Sequence, residues 1–372
     1  MASFAGTSAQ ILQKWERDYL KEFVRESGFN PYMGKGTNNP IIVKRQLIKG
    51  GQVINIPLVS ALTGSGVGTN TLVGNEEALG NYSYDLKPYW HRHAVQVTKD
   101  QQHDIAFDVL KANKDMLKIW DMDDMRDAII NSLSSVVEAS GAYNAGTGHS
   151  KEVFFSEATA AQKNAWAAAN QYRILFGNDE GNYNATFATG SATIDGTNDK
   201  LKRSSISLMK RMARRRYRTT KGDSIDLPSI RPIRTGDQGR EYFVAFAGPE
   251  PFADLKADME SANLDGRPRA PESNPVFQDG DLEYDGVIIR EIPEISGYGN
   301  IGDSGTTAVY PVYFMGAQAL GLAWGQLPKA TEKKEDDYGF IKGVGTESLW
   351  SVEKLRYNGI DHGMITGLFA AS

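Results

Sequence analysis

The stretch Met315-Gly316-Ala317-Gln318-Ala319-Leu320-Gly321-Leu322-Ala323-Trp324-Gly325 decides the reading of this chain. It interleaves large apolar residues with alanine and glycine, as a strand does where other backbone packs closely on it. Upstream, Arg231-Pro232-Ile233 leads into Glu241-Tyr242-Phe243-Val244-Ala245-Phe246-Ala247-Gly248-Pro249. Asn274-Pro275-Val276-Phe277 and Glu283-Tyr284-Asp285-Gly286-Val287-Ile288-Ile289 follow it. Downstream comes Leu355-Arg356-Tyr357-Asn358-Gly359-Ile360-Asp361-His362-Gly363. None of these segments sets a nucleophile beside a base, or builds a cage of metal ligands. They are strands, turns and small-residue packing surfaces.

Composition narrows the choices. At 372 residues the chain exceeds the usual single core, so two or more lobes are expected. Its 40% hydrophobic content, with 16 Tyr, 15 Phe and 6 Trp, is enough for a sizeable core. The absence of cysteine excludes a disulfide framework, a thiolate zinc site and a cysteine nucleophile. A net charge of -5 argues against a surface that grips nucleic acid all over. Met1–Gly6 lacks the pattern of a secretory signal, and no apolar run nears the roughly 18 residues of a membrane span, so a soluble protein is expected.

Along the sequence, Ser8 can cap a helix with Leu12, Trp15, Tyr19 and Phe23 on one stripe, an arm in need of a docking groove. A Gly- and Asn-rich linker to Pro40 follows. Ile41–Leu58 reads as two strands around Gly50-Gly51, with Ile54, Ile56 and Leu58 on one face. A loose tip, Ser60–Gly80, carries Thr63, Gly64, Gly66, Gly68, Asn70 and Leu72. The chain returns through Tyr82–Trp90, making a long hairpin that cannot bury both faces alone. The apolar spacing of Met122, Met125, Ile129, Leu133 and Val136/Val137 predicts a helix from Asp121 to about Ser140, ended by Gly141. Further helices are expected over 158–176, from Ser204 to about Tyr217, and over 251–262. Strands are expected near 241–247, 287–291, 309–314, 349–356 and 364–369, with a charged linker over 332–337. Helices and strands mix without a regular βαβ beat, so the fold class is α+β.

Three features raise the question of chemistry. His91 and His93 share a strand face near His103-Asp104, a spacing that can chelate a metal, but a polar strand face is the simpler reading. Gly302-Asp303-Ser304-Gly305 echoes a serine-protease turn, yet no base sits in a matching context, and a loop is expected. The basic run holds Lys200, Lys202, Arg203, Lys210, Arg211, Arg214, Arg215, Arg216 and Arg218, with Ile206, Met209, Met212/Ala213 and Tyr217 as an apolar stripe. Lys210, Arg211, Arg214, Arg215 and Arg218 are therefore candidates for DNA-phosphate contact, or for charge pairing with acids such as those at 332–337. No catalytic, cofactor-binding or metal-binding residue is assigned.

The series of segments quoted first, in its order, resembles the major capsid proteins of tailed bacteriophages, in the family typified by coliphage N-four. The likeness runs from about Ile41 to the C-terminus. It implies the Hong Kong type capsid fold: arm 1–40, extended loop 41–105, peripheral domain with spine helix 106–157, axial domain 158–331, and return strands 332–372. It also implies a non-enzymatic subunit that forms hexamers and pentamers of an icosahedral head around double-stranded DNA. Scaffold, portal and decoration proteins would be partners, without cofactor or membrane, in a virion assembled in the host cytoplasm. The rivals are a nanocompartment shell protein of the same fold and, remotely, a metal- or serine-dependent hydrolase. Some capsids of this fold join subunits by an isopeptide bond from an extended-loop lysine. Here no lysine lies between Gly50 and Leu86. Denaturing electrophoresis of mature particles is expected to show a single monomer band, and a ladder of covalent multimers would contradict that.

Overall fold

A computed structural model of the protein describes residues 28–45, 51–59, 67–76, 80–104, 109–138, 152–215, 217–218, 226–235, 239–265, 281–333, 338 and 340–371. The strands used below are β1 (Ile41–Lys44), β2 (Ile54–Val59), β3 (Asn81–Leu86), β4 (Tyr89–Thr98), β5 (Ser135–Glu138), β6 (Glu152–Phe154), β7 (Ile174–Phe176), β8 (Glu241–Ala247), β9 (Leu282–Tyr284), β10 (Val287–Glu291), β11 (Val309–Met315), β12 (Leu320–Lys333), β13 (Ile341–Lys354) and β14 (Met364–Ala370). The helices are α1 (Val109–Leu133), α2 (Ala160–Ala169), α3 (Arg203–Arg214) and α4 (Pro249–Asp265). Two compact units result. The larger holds Gly28–Tyr89, Arg126–Gly325 and everything from Trp350 on; the smaller includes Trp90–Met125 and Gln326–Leu349.

The larger unit is built on a sheet in the order β9-β10-β8-β11-β14-β7, with Arg234–Thr235 pairing onto the start of β8. β8 runs parallel to β10 and antiparallel to β11, which pairs with β14 from Val309↔Ala370 to Met315↔Met364. Both faces are covered, which is why β8, β11 and β14 are nearly continuous apolar runs rather than alternating ones. On one face Phe243, Ala245, Val312, Phe314, Ile365 and Phe369 meet α3 and α4 through Ile206, Met209, Met212, Phe252 and Leu255. On the other, Val309, Leu368 and Ala370 meet Trp166, Phe176 and Phe187. The stripe Ile206, Met209, Met212/Ala213 recurs at helical spacing, so α3 buries one face and leaves its cations on the others.

Residues 28–40, placed at the end of an arm by the sequence, pack against this unit. Phe29 is fully buried, edge-on to Phe246 at 4.8 Å, and Tyr32 meets the same ring at 5.3 Å. β1 then lies parallel to the first residues of β12, Leu320 beside Ile41. β1 and β2 do not pair with each other across Gly51. β2 pairs instead with β3, from Ile54↔Leu86 to Val59↔Asn81. The base of that hairpin packs on Ile42, Ala323, Leu355 and Tyr357. Gly321 permits the approach, since a Cβ there would lie 2.7 Å from Leu86 Cδ1.

The long helix differs from expectation at both ends. It begins by Val109, a dozen residues before Asp121, because the polar segment Lys111–Asp115 carries little periodic signal even though Ala112 and Leu117 are buried. It stops at Leu133, and Val136 and Val137 belong to β5, paired with β6. The helix expected over 158–176 is only α2. A capping box starts it, with Thr159 and Gln162 each accepting the other's backbone N–H, and the apolar triplet Ile174-Leu175-Phe176 is a strand. The charged run at 332–337 also reads differently, because β12 continues to Lys333.

In the smaller unit the far part of β13 lies between β12 and β4. His93 stacks on Trp120 at 4.8 Å, and His91 Nδ1 lies 2.5 Å from Asp124 Oδ2. Ser348 donates to Asp121 at 3.3 Å.

His362, in the larger unit, is half-buried and edge-on to Tyr357. Burial, aided by the Arg173 charge, lowers its pKa to about 4. A depressed histidine pKa means that the unfolded protein binds the extra proton first. Stability should therefore fall as pH drops from about 6.5 to about 4, by roughly 1–2 kcal/mol after allowing for its partial exposure. Denaturation midpoints across that window should be flatter for His362→Gln, and an unchanged slope would count against it.

Candidate assembly surfaces and a buried charge cluster

The hairpin tip is described only beyond Gly66, so Thr63, Gly64 and Gly66 lie outside the described residues, as do Leu12, Trp15, Tyr19 and Phe23. Gly68 takes a left-handed φ of 61°, Asn70 closes a turn on Val67, and Leu72 and Val73 are 69% and 79% exposed. Along the apolar face of the hairpin, Ile54, Tyr84 and Leu86 are covered by the subunit's own core and Ile56 and Leu58 are partly buried against it, while Tyr82, opposite Leu58, is exposed, as is Val59 on the other face.

The basic helix finds its acids at home. Arg211 and Arg215 reach Glu180 at 3.5 and 2.7 Å, Arg214 reaches Glu241 at 2.7 Å, and Lys210 reaches Asp285 at 3.0 Å. Arg203 pairs with Asp258 at 2.9 Å and Lys200 with Asp254 at 3.6 Å. Arg203 also lowers the Asp258 pKa, its hydrogen bonds and charge outweighing the carboxyl's burial. Arg218 lies in a two-residue strand with Tyr217, and its side chain is outside the described set. Of the acids suggested from sequence, Glu332 pairs with Lys114 in the smaller unit, and 334–337 lie outside the described residues.

Sequence reasoning missed the most organised polar group among the described residues. Lys354, Arg356, Glu152 and Asp361 are all buried in the larger unit. Arg356 donates from Nε to Asp361 Oδ1 at 3.0 Å and from a terminal nitrogen to Glu152 Oε1 at 3.3 Å. Its other terminal nitrogen donates to the Ser135 carbonyl at 2.9 Å. Lys354 Nζ donates to the same carbonyl at 2.8 Å and lies 3.2 Å from Asp361 Oδ2. Trp166 Nε1 donates to Asp361 at 3.0 Å, and Ser132, Ser135 and the Lys354 backbone N–H donate to Glu152 at 2.7, 2.9 and 2.8 Å. Two cations and two anions, each with several partners, satisfy the condition under which charges persist in a core. Burial opposes ionisation of Asp361, but Lys354, Arg356 and Trp166 outweigh it and hold its pKa below the usual range. At Glu152 burial wins over Arg356 and raises the pKa, and at Lys354 burial lowers it. The only hint in the sequence was a pair of cations inside an apolar strand pattern.

The other candidate chemistry does not assemble. Among the described residues, no group of three or more His, Asp or Glu side chains could hold a metal ion. Ser304 sits in an exposed turn at φ 53° and donates to the carboxylate of its own neighbour Asp303, not to an imidazole. No helix among the described residues is long and apolar enough to cross a membrane.

The described residues form a sheet covered on both faces, a long hairpin and a long helix, and among them no metal-ligand group is found. A family model described as phage capsid protein matches residues 3–368, and the chain belongs to that family of non-enzymatic head-shell proteins. Among solved structures it is similar to the capsid asymmetric unit of cyanophage Pam1, at 35% identity and TM-score 0.85 over 100% of this chain and 99% of that one. The capsid of Ralstonia phage GP4 (19% identity, TM-score 0.70, 100% and 98% covered) shares the fold. So does that of Helicobacter pylori bacteriophage KHP30 (16%, 0.62, 97% and 95%). No curated protein matches. The tailed-phage capsid fold and the structural role expected from the sequence are both borne out.

Removing one member of the buried cluster leaves the others uncompensated. Arg356→Met should lower subunit stability by about 3–5 kcal/mol, whereas Arg211→Met, at the exposed pair, should cost at most about 1 kcal/mol. Urea denaturation of the two variants checks this, and equal midpoints would contradict it.

Proposed function

We propose that this subunit tiles into hexamers and pentamers of an icosahedral head that encloses double-stranded phage DNA, each hairpin lying over a neighbouring copy. The observation that carries this reading is the β2–β3 hairpin: the subunit's own core covers its base, while Tyr82 and Val59 at its far end, and Leu72 and Val73 in the segment beyond, are exposed. An exposed patch of that kind calls for a partner surface. The cyanophage Pam1 likeness favours a genome-enclosing head over a nanocompartment.

On this reading the domains are those implied by the resemblance: arm 1–40, extended loop 41–105, peripheral domain 106–157 and 332–372, axial domain 158–331. The stripe Leu12, Trp15, Tyr19, Phe23 docks on the subunit or a neighbour. Scaffold, portal and decoration proteins join the shell in the host cytoplasm, and packaged DNA is met without sequence preference. The intramolecular pairs of Lys210, Arg211, Arg214 and Arg215 support charge pairing over DNA contact as the work of α3. Many weak contacts repeated around rings make a strong container.

Deleting Thr63–Thr71 should leave a folded subunit that forms fragile shells or none, read by negative-stain microscopy and heat challenge. Normal particles with unchanged heat resistance would overturn the overlap role.

A further inference from the structure

Asn358-Gly359 is the single Asn-Gly pair in the sequence. Both residues are exposed and left-handed, at φ 54° and 76°, and they form the two-residue turn between Arg356-Tyr357 and Ile360-Asp361. The pairing closed by this turn sets Arg356 opposite Asp361, the two residues whose side chains form the buried ion pair. Buried Asn170 clamps the turn from the end of α2: its Oδ1 accepts the Asp361 N–H at 2.8 Å and its Nδ2 donates to the Gly359 carbonyl at 3.4 Å.

We propose that Asn358 is a site of spontaneous deamidation whose rate is set by opening of this clamped turn. The Gly359 amide nitrogen attacks Asn358 Cγ, forming the ring N–C bond and expelling ammonia as the Cγ–Nδ2 bond breaks. Water then opens one of the two ring carbonyls, leaving aspartate or isoaspartate. Glycine after the asparagine removes the side chain that would hinder attack. Ring closure also needs the Asn358 Cβ–Cα–C–N torsion near zero, which a left-handed turn residue does not have. The closed turn therefore protects an intrinsically reactive sequence, and local opening exposes it. An isoaspartyl link lengthens the turn by one backbone atom, so the modified protein no longer aligns Arg356 with Asp361.

The test is peptide mapping by mass spectrometry of purified protein held in mildly alkaline buffer, native and in concentrated urea. Asn358 should gain about one mass unit before any other asparagine in urea, and at least ~10-fold more slowly in the native protein. Asn170→Ala should raise the native rate toward the urea value. If that variant does not fold, Asn170→Asp, which loses the donor to Gly359 but keeps an acceptor for Asp361, should do the same to a smaller degree. Equal rates in native and unfolded wild type, or a folded Asn170 variant with an unchanged native rate, would overturn the proposal.

Discussion

The structure depends on the placement of its last strand. β14 lies between β11 and β7 and is buried along its whole length, contributing Ile365 and Phe369 to one core face and Leu368 and Ala370 to the other. Seven register pairs to β11 and three to β7 are made only when this C-terminal segment arrives. Without it, β11 and β7 would each present an unpaired edge, and both apolar faces would lose their middle. The subunit core is thus closed by the last residues of the sequence.

The buried charges stand where that closure is directed. Lys354, Arg356 and Asp361 lie in the short passage that turns β13 into β14, and their partners come from Ser132 and Ser135 around the end of α1, Glu152 in β6 and Trp166 in α2. A slip by one residue would break the forked hydrogen bonds from Arg356 to one carbonyl and two carboxylates. Gly363 completes the passage with φ 72°, where a Cβ would lie 2.6 Å from the Ala317 carbonyl. Ion pairing here specifies register, at the cost of desolvating four charges. The pairs along α3 are exposed, and they tie the helix to Glu180, Glu241 and Asp285 rather than defining the core.

What was legible in the sequence follows from how local each signal is. β8, β10, β11 and β14 could be read because long apolar runs bounded by Gly or Pro have few other outcomes, and α3 because its stripe is strictly periodic. Signals that depend on remote partners were not legible. Ile174-Leu175-Phe176 is apolar at any period, so only pairing with Thr366–Leu368 makes it a strand. The start of α1 is polar, and its helicity shows only where Ala112 and Leu117 find burial. Glu152 meets Arg356 across some two hundred residues of sequence, and no spacing rule reaches that far. The hairpin was legible as a ribbon, though not that its base would be covered by the subunit's own Ala323, Leu355 and Tyr357.

Native-state hydrogen exchange of the unassembled subunit tests most directly whether the C-terminal strand is the closing element. The amides of Met364–Ala370 should exchange only with those of Val244–Phe246, by unfolding of the whole sheet. Exchange of Met364–Ala370 at a markedly lower free energy, with β8 and β11 still protected, would show the last strand to be an addition to a core that stands without it.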